Sequence, residues 1–364
     1  MTNHSQPSDT HIQHTTLGRS SIGDRYSRQI RYSHIGLEGQ NQLERSRIAI
    51  VGMGALGSVL AQHLVRAGVG YTRLIDRDIV EWSNLQRQML YTEQDANEML
   101  PKAAAAASRL RAINSSVTVE PVMTDLSSAN ASQWLEGVDL ILDGTDNFSV
   151  RYLINDFSLQ SGTPWIYGGA VGASGMTMTV IPHETACYRC LFPEPPAPGA
   201  TDSCETAGVI SPIVDIIASV QATDAIKLLS GNRDALHRTL FQVDLWNHAW
   251  LPINIDQARR SDCPACGDHH RYEFLNRQDR ETVATALCGR QSVQLTPGVS
   301  AHLNLDDMAG RLSVMGQVYQ NPYLLKLQLA GDVTFVLFPD GRAIVQGTED
   351  SARARSIYAE LLGI

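Results

Sequence analysis

The stretch that decides the fold is Arg47-Ile48-Ala49-Ile50-Val51-Gly52-Met53-Gly54-Ala55-Leu56-Gly57. Its first five residues read as a short apolar strand. Three glycines at the spacing Gly52, Gly54, Gly57 follow at once, and residues 58–67 then read as a helix that stops near Gly68. A glycine turn between a strand and a helix lets backbone N–H groups and the helix N-terminus face an anion, so a phosphate-bearing ligand is expected here. The next apolar segment, Tyr71 to Asp76, reads as a second strand, and Asp76 ends it about 20 residues on, where a ribose-binding carboxylate belongs. The unit is a strand–loop–helix–strand of the Rossmann type.

Outward from this unit, strands and helices continue to alternate. Residues 24–43 read as a helical lead-in with Arg25, Arg28 and Arg31 spaced by three. An alanine-rich helix runs from Pro101 to Ile113, with proline at the first turn where it is tolerated. Strands are expected over 117–120 and 138–143, a helix over 151–161, and strands over 165–169 and 175–181. This order predicts an α/β fold with a mostly parallel sheet. Residues 191–211 carry prolines 193, 195, 196 and 198 and Gly199, which mark a loop. A helix over 213–229 and a strand over 239–244 follow. After Cys266 the character changes to a small α+β appendage: a helix over 303–312, strands over 324–329 and 333–338, a turn at Pro339–Gly341 and a helix over 351–362. The expected division is a disordered tail (1–23, or an appended extension), a Rossmann-like α/β domain (24–270) and a small C-terminal α+β domain (271–364).

Bulk composition narrows the class. The 364 residues are 43% hydrophobic and 18% charged, which fits an ordinary globular protein of about two domains. A net charge of −9 argues against nucleic acid as a partner. No apolar run is long enough to cross a membrane, and residues 1–24 lack the apolar core of a signal peptide. Six cysteines are too few for a disulfide scaffold, and four stand in metal-type spacing, which suits a reducing cytoplasm.

Those four are Cys187/Cys190 and Cys263/Cys266, two Cys-x-x-Cys pairs. Two such pairs can close a tetrahedral four-cysteine zinc knuckle; a closed thiolate set leaves no open position, so the role would be structural. Gly267 suits the tight turn of a knuckle. A redox Cys-x-x-Cys or free thiols are the alternatives.

The glycine loop and Asp76 alone do not separate a dinucleotide dehydrogenase from an ATP site. The residues that follow do. Asn84, Arg87 and Gln88 lie just past Asp76 and Asp78, Lys102 starts the alanine-rich helix, and Gly144-Thr145-Asp146-Asn147 follows the strand ending in Asp143. Cations at fixed positions stabilise charge on a departing pyrophosphate, and a carboxylate holds the accompanying Mg²⁺ through oxygen. Lys102 at a helix start opposes the helix dipole, the kind of local conflict a functional cation produces.

With these residues in order, the chain resembles the ThiF/MoeB/HesA family, relatives of the ubiquitin-activating enzymes, and most of all its ThiF-type sulfur-carrier adenylyltransferases. The matching stretches are Arg25 to Ile30, Gly52 to Gly57, Ser83 to Gln88, Gly144 to Asn147, Cys187 to Pro193, Cys204 to Val209 and Gln221 to Lys227. The resemblance implies ATP-dependent adenylation of the Gly-Gly terminus of a small β-grasp sulfur-carrier protein, with ATP, Mg²⁺ and Zn²⁺ as cofactors. It implies that Gly52, Gly54 and Gly57 cradle the nucleotide, that Asp76 binds the ribose hydroxyls, that Asn84, Arg87 and Lys102 contact the phosphates, and that Asp78 and Gln88 are further nucleotide-binding residues, Gln88 in an assisting role. It further implies that Asp146 holds Mg²⁺, that Arg28 reaches the neighbouring subunit's site in a homodimer, and that Cys204 accepts the acyl group or sulfur, with a sulfurtransferase as a further partner. Cys204 read alone is a loop thiol, and Arg25 and Arg28 read alone are solvated charges. The Cys288-Gly289-Arg290 start and the stretch Phe338 to Ile344 resemble the tail of some ThiF-type enzymes, which favours thiamin thiazole over molybdopterin synthesis. The other readings are an adenylyltransferase that modifies a peptide, as in microcin maturation, a dehydrogenase, and a non-catalytic scaffold.

Overall fold

The computed structural model describes residues 22–196, 206–277, 283–287, 291–298 and 301–363. The expected tail (1–21 of it), Cys204 and Cys288 lie outside the described residues.

Chain order begins with α1 (Ile22–Arg25), α2 (Ser27–Ile30) and α3 (Gly36–Arg45), then β1 (Arg47–Val51), α4 (Ala55–Ala67) and β2 (Tyr71–Ile75). The single lead-in helix expected over 24–43 is therefore three short ones. Tyr26 turns inward, its hydroxyl accepting from Asn114 Nδ2 at 2.8 Å, and Gly36 has φ +59°, so a continuous helix cannot form. Next come α5 (Glu93–Asn97), α6 (Lys102–Ile113), β3 (Thr118–Val122), α7 (Ala131–Leu135), β4 (Leu140–Asp143) and α8 (Phe148–Ser161). Then follow β5 (Trp165–Val171), β6 (Ser174–Val180), α9 (Tyr188–Leu191), α10 (Ser211–Leu229), β7 (Thr239–Asp244) and β8 (Ala249–Asn254).

These strands form one sheet in the order β3-β2-β1-β4-β5-β6-β7-β8. The pairings from β3 to β5 are parallel, and those from β5 to β8 are antiparallel. β1 is apolar on both sides because both sides are covered. Ile48 and Ile50 join α4, α6 and α10 in one core, while Ala49 and Val51 join α7, α8 and the cysteines in the other. The chain leaves β1 toward β2 and β3, then returns to β4 on β1's other side. That reversal opens a crevice at the carboxyl ends of β1 and β4, the usual ligand position in such sheets.

The C-terminal unit holds β9 (Val283–Leu287), β10 (Ser292–Thr296), α11 (Leu305–Leu312), β11 (Gln317–Asn321), β12 (Leu324–Gln328), β13 (Thr334–Leu337), β14 (Ala343–Gln346) and α12 (Ser351–Leu362). Its antiparallel sheet runs β11-β12-β13-β14-β10-β9. Alternation along β13 explains its packing. Phe335 and Leu337 point to α11 and α12, whereas Val336 and Phe338 point the other way and meet Ile79 and Met99 of the first unit.

Candidate functional site

The crevice is floored by glycine because backbone meets backbone there. A Cβ on Gly57 would stand 1.8 Å from the Gly52 carbonyl oxygen, and one on Gly144 would stand 2.6 Å from it. Gly52 itself has φ +87°. The glycines thus let the ends of β1 and β4 close on the first turn of α4, leaving that helix N-terminus facing a cavity.

Gly52, Gly54, Asp76, Asp78, Arg87, Gln88, Lys102 and Asp146 all line this cavity. Other candidates lie elsewhere. Gly57 is packed beneath the loop against Gly52. Asn84 is buried behind the wall, where its Oδ1 accepts from Glu81 N at 3.1 Å and its carbonyl accepts from Gln88 N at 2.9 Å. Arg28 is exposed on α2, away from the residues lining the cavity.

Asp76 works first as a brace. Its Oδ2 accepts from Met53 N at 2.6 Å and its Oδ1 from Asp78 N at 2.6 Å, so it ties the glycine loop to the turn after β2. Each oxygen keeps a second lone pair for a hydroxyl donor. Burial raises its carboxyl above the ordinary range, opposed by the Lys102 ammonium. The dipole conflict at Lys102 has a local answer: its side chain is buried, and Nζ donates to Asp78 Oδ2 at 2.9 Å. Among the described residues, Gln88 Oε1 and Asn84 Nδ2 are buried without a hydrogen-bond partner, which marks unspent polar capacity at this wall.

Two residues that the sequence reading passed over complete the site. Arg151 lines the cavity, its Nε on Asp143 Oδ2 at 3.0 Å and its Nη2 on the carbonyls of Thr145 at 2.6 Å and Gly168 at 3.1 Å. Asp143 is fully buried and also accepts from Thr145 N at 2.9 Å, so it is the anchor of the Gly144–Asp146 turn, while Asp146 is exposed at the rim. Tyr91 donates from its hydroxyl to the Met53 carbonyl at 2.6 Å, holding the glycine loop from behind. Arg151 sits in the first turn of α8, eight residues past Asp143, and Tyr91 is 38 residues from Met53. Neither spacing carries a signal in one sequence.

The cavity's chemistry is that of a phosphate site: a helix N-terminus, three cationic side chains and an exposed carboxylate able to take a divalent cation. An apolar groove joins it. The groove shares Asp146, Arg151 and Ala170 with the cavity and continues past Tyr167, Met176 and Phe192.

The four cysteines converge in the core that α7 and α8 share with Ala49 and Val51 of β1. Their sulfurs all lie within 4.8 Å of one another, with Cys187–Cys263 at 3.6 Å, Cys187–Cys190 at 3.8 Å and Cys190–Cys266 at 3.4 Å. Sulfurs about 3.8 Å apart are what a tetrahedral zinc with ~2.3 Å bonds requires, so the cluster fits that ion. A Cβ on Gly267 would stand 2.3 Å from the Ser261 carbonyl oxygen, so the knuckle turn excludes a side chain there. Among the described residues, no helix is long and apolar enough to cross a membrane.

A family model, that of the ThiF family, matches residues 26–265. A sulfur carrier protein ThiS adenylyltransferase of Bacillus subtilis is 44% identical over 340 residues, covering 93% of this chain and 99% of that protein. A SAMP-activating enzyme E1 of Haloferax volcanii is 39% identical, over 67% of this chain and 89% of its own length. Among solved structures, E. coli MccB with ATP superposes with a TM-score of 0.59 at 22% identity, over 67% of this chain and 75% of that one. At that identity the likeness is one of fold.

Proposed function

The chain belongs to the ThiF family, and on that premise we propose that it is an ATP-dependent adenylyltransferase of a ubiquitin-like sulfur-carrier protein. The carrier's C-terminal Gly-Gly carboxylate attacks the α-phosphorus of ATP. The new bond is carboxylate oxygen to phosphorus, the bond to the β-phosphate breaks, and pyrophosphate leaves with the electron pair. No general base is needed, because the nucleophile is already an anion. The protein's part is alignment and charge neutralisation.

The observation that carries this reading is the cavity itself, glycine-floored, cationic and at the switch point, joined to an apolar groove. Gly52, Gly54 and the start of α4 hold phosphate oxygens through backbone N–H groups. Asp76 and Asp78 stand on the ribose side. Arg87, Lys102 and Gln88 face the departing pyrophosphate. Asp146 is the residue that would hold Mg²⁺, which supplies further charge neutralisation when bound. The groove past Tyr167 and Phe192 gives a narrow carrier tail a path to the nucleotide. Cys204 enters after adenylation: its thiolate attacks the acyl carbon of the adenylate and AMP leaves, or it takes the outer sulfur of a sulfurtransferase persulfide and releases that enzyme's thiol. Arg28, exposed on α2, is the residue by which a second copy would complete the site in a homodimer. The four cysteines hold a structural zinc. The Bacillus relative named for ThiS matches nearly the whole chain, which favours a carrier of that kind and thiamin thiazole synthesis; a cytoplasmic enzyme follows from the same reading.

ATP–pyrophosphate exchange with Mg²⁺ tests the proposal, using a panel of Gly-Gly-terminated carriers and the same carriers lacking the last glycine. Exchange only with the intact termini is expected, and Arg87→Ala should lower it by about a hundredfold, the scale of one lost transition-state donor. Exchange with a short peptide in place of any carrier would move the chain to a peptide-modifying adenylyltransferase.

A further inference from the structure

The C-terminal unit does more than extend the chain. It seats against the acidic edge of the nucleotide cavity, on three backbone segments that are far apart in sequence. The first is the turn after β2, where Arg342 Nη1 donates to the Arg77 carbonyl at 3.2 Å. The second is the end of β3, where Arg342 Nη2 donates to the Met123 carbonyl at 3.1 Å. The third precedes α6, where Asn321 Nδ2 donates to the Glu98 carbonyl at 3.0 Å. Between these contacts, Leu324, Val336, Phe338 and Ile344 press on Ile79 and Met99. Gln294 Nε2 adds a bond to Asp125 Oδ2 at 3.2 Å, the oxygen that also pairs with Arg77 at 2.9 Å.

The segments so held carry the site. Arg77 lies between Asp76 and Asp78, and Ile79 is bridged to Pro101, next to Lys102. Lys102 N donates to the Asp78 carbonyl at 2.9 Å, and Val80 N to the Leu100 carbonyl at 2.8 Å. Any shift of residues 77–79 therefore moves two carboxylates and a lysine together. Arg342 is 4% exposed, its Nε is held by Asp340 Oδ2 at 2.6 Å, and its guanidinium lies over the Phe338 ring at 4.7 Å. A planar fork fixed on three sides sets the spacing of the two carbonyls it joins, which a flexible ammonium would not do.

We propose that the C-terminal unit is the clamp that sets the Asp76–Asp78–Lys102 edge of the nucleotide site, with Arg342 as its positioning residue. The proposal rests on the nucleotide reading above, and it predicts an effect on ATP that the carrier does not share. The test uses the full-length chain as wild type, Arg342→Ala, Arg342→Lys and Asn321→Ala. Binding of a non-hydrolysable ATP analogue is measured by calorimetry without any carrier, and KM for ATP, KM for carrier and kcat are measured by exchange. Arg342→Ala should weaken analogue binding and raise KM for ATP by about tenfold, the scale of ~1.4 kcal/mol, with KM for carrier unchanged. Arg342→Lys, which can reach one carbonyl, should fall between. An Arg342→Ala protein that melts earlier yet binds the analogue like wild type would overturn the proposal. If that variant does not fold, Asn321→Ala decides: a rise in KM for ATP of about threefold supports the clamp, and no change overturns it. Wild type that binds no analogue would overturn the nucleotide reading itself, an outcome visible without any variant.

Discussion

Replacing Arg151 with Met should destabilise the fold mainly by what it leaves behind. Asp143 is 0% exposed, and the Arg151 side chain is nearly as deep. The substitution keeps an apolar stem but strands a buried carboxylate at the carboxyl end of β4. Breaking a buried pair by removing one partner costs about 3–5 kcal/mol, and the freed carbonyls of Thr145 and Gly168 fall within that sum. The double variant Asp143→Asn/Arg151→Met leaves no charge behind, and Asn keeps an acceptor for Thr145 N. Its deficit should be about 1–3 kcal/mol, chiefly from the two lost carbonyl bonds. The double variant should therefore be more stable than Arg151→Met alone, with a coupling of at least ~2 kcal/mol. Urea unfolding of wild type, both single variants and the double variant measures the cycle. The pH dependence has a definite sign. Burial already raises the Asp143 carboxyl, opposed chiefly by Arg151. A raised folded pKa means stability that is complete below the unfolded carboxyl value and lost as pH rises through the folded one. Without Arg151 the folded value rises further, so the Arg151→Met deficit should shrink as pH falls from about 8 to about 5. Additivity within ~0.5 kcal/mol, or a deficit that grows on acidification, would refute the argument.

Two further predictions concern the core between α8 and the cysteines. Purified protein should contain about one zinc per chain, and Cys266→Ser or chelation should lower the thermal midpoint by roughly 10 °C; metal analysis with calorimetry checks this, and a metal-free protein of full stability would exclude the structural zinc. Asp156 accepts from Phe274 N at 2.9 Å through Oδ2, its Oδ1 has no hydrogen-bond partner among the described residues, and burial pushes its carboxyl up to about 6. Its stability contribution is thus full below about pH 4 and lost as pH rises through about 6. Asp156→Asn should raise stability at about pH 8 by up to ~3 kcal/mol and flatten the profile between about pH 4 and 7; equal gains at the acid and alkaline ends of that range in denaturation curves would assign the effect to packing instead.

Much of the site was legible because its signals are local. The strand before Gly52, the carboxylate at Asp76 and the helix from Lys102 are spacings along the chain, set by backbone reach and by the period of each element. The helix over 351–362 was legible too, since its apolar face repeats at helical spacing and Asp350 caps its N-terminus through Ala352 N at 2.8 Å. β8 was not, because its residues are half-exposed, so its sequence, Trp250-Leu251-Pro252-Ile253, shows no alternation.

What the sequence determined by itself was the glycine loop between strand and helix, the parallel half of the sheet and the pairing of the cysteines into one metal-type set. Each follows from residues that are neighbours in the chain or from a spacing that a ligand imposes. Only the tertiary structure decided that Lys102 is paired with Asp78, that Arg151 closes the cavity over Asp143, that the sheet turns antiparallel after β5, and that Arg342 grips the turn beside Asp76. Those contacts join residues 8 to 265 positions apart. They are chosen by burial: a charge or carbonyl removed from water takes whichever partner the packed core brings within reach, and one sequence does not reveal which that is.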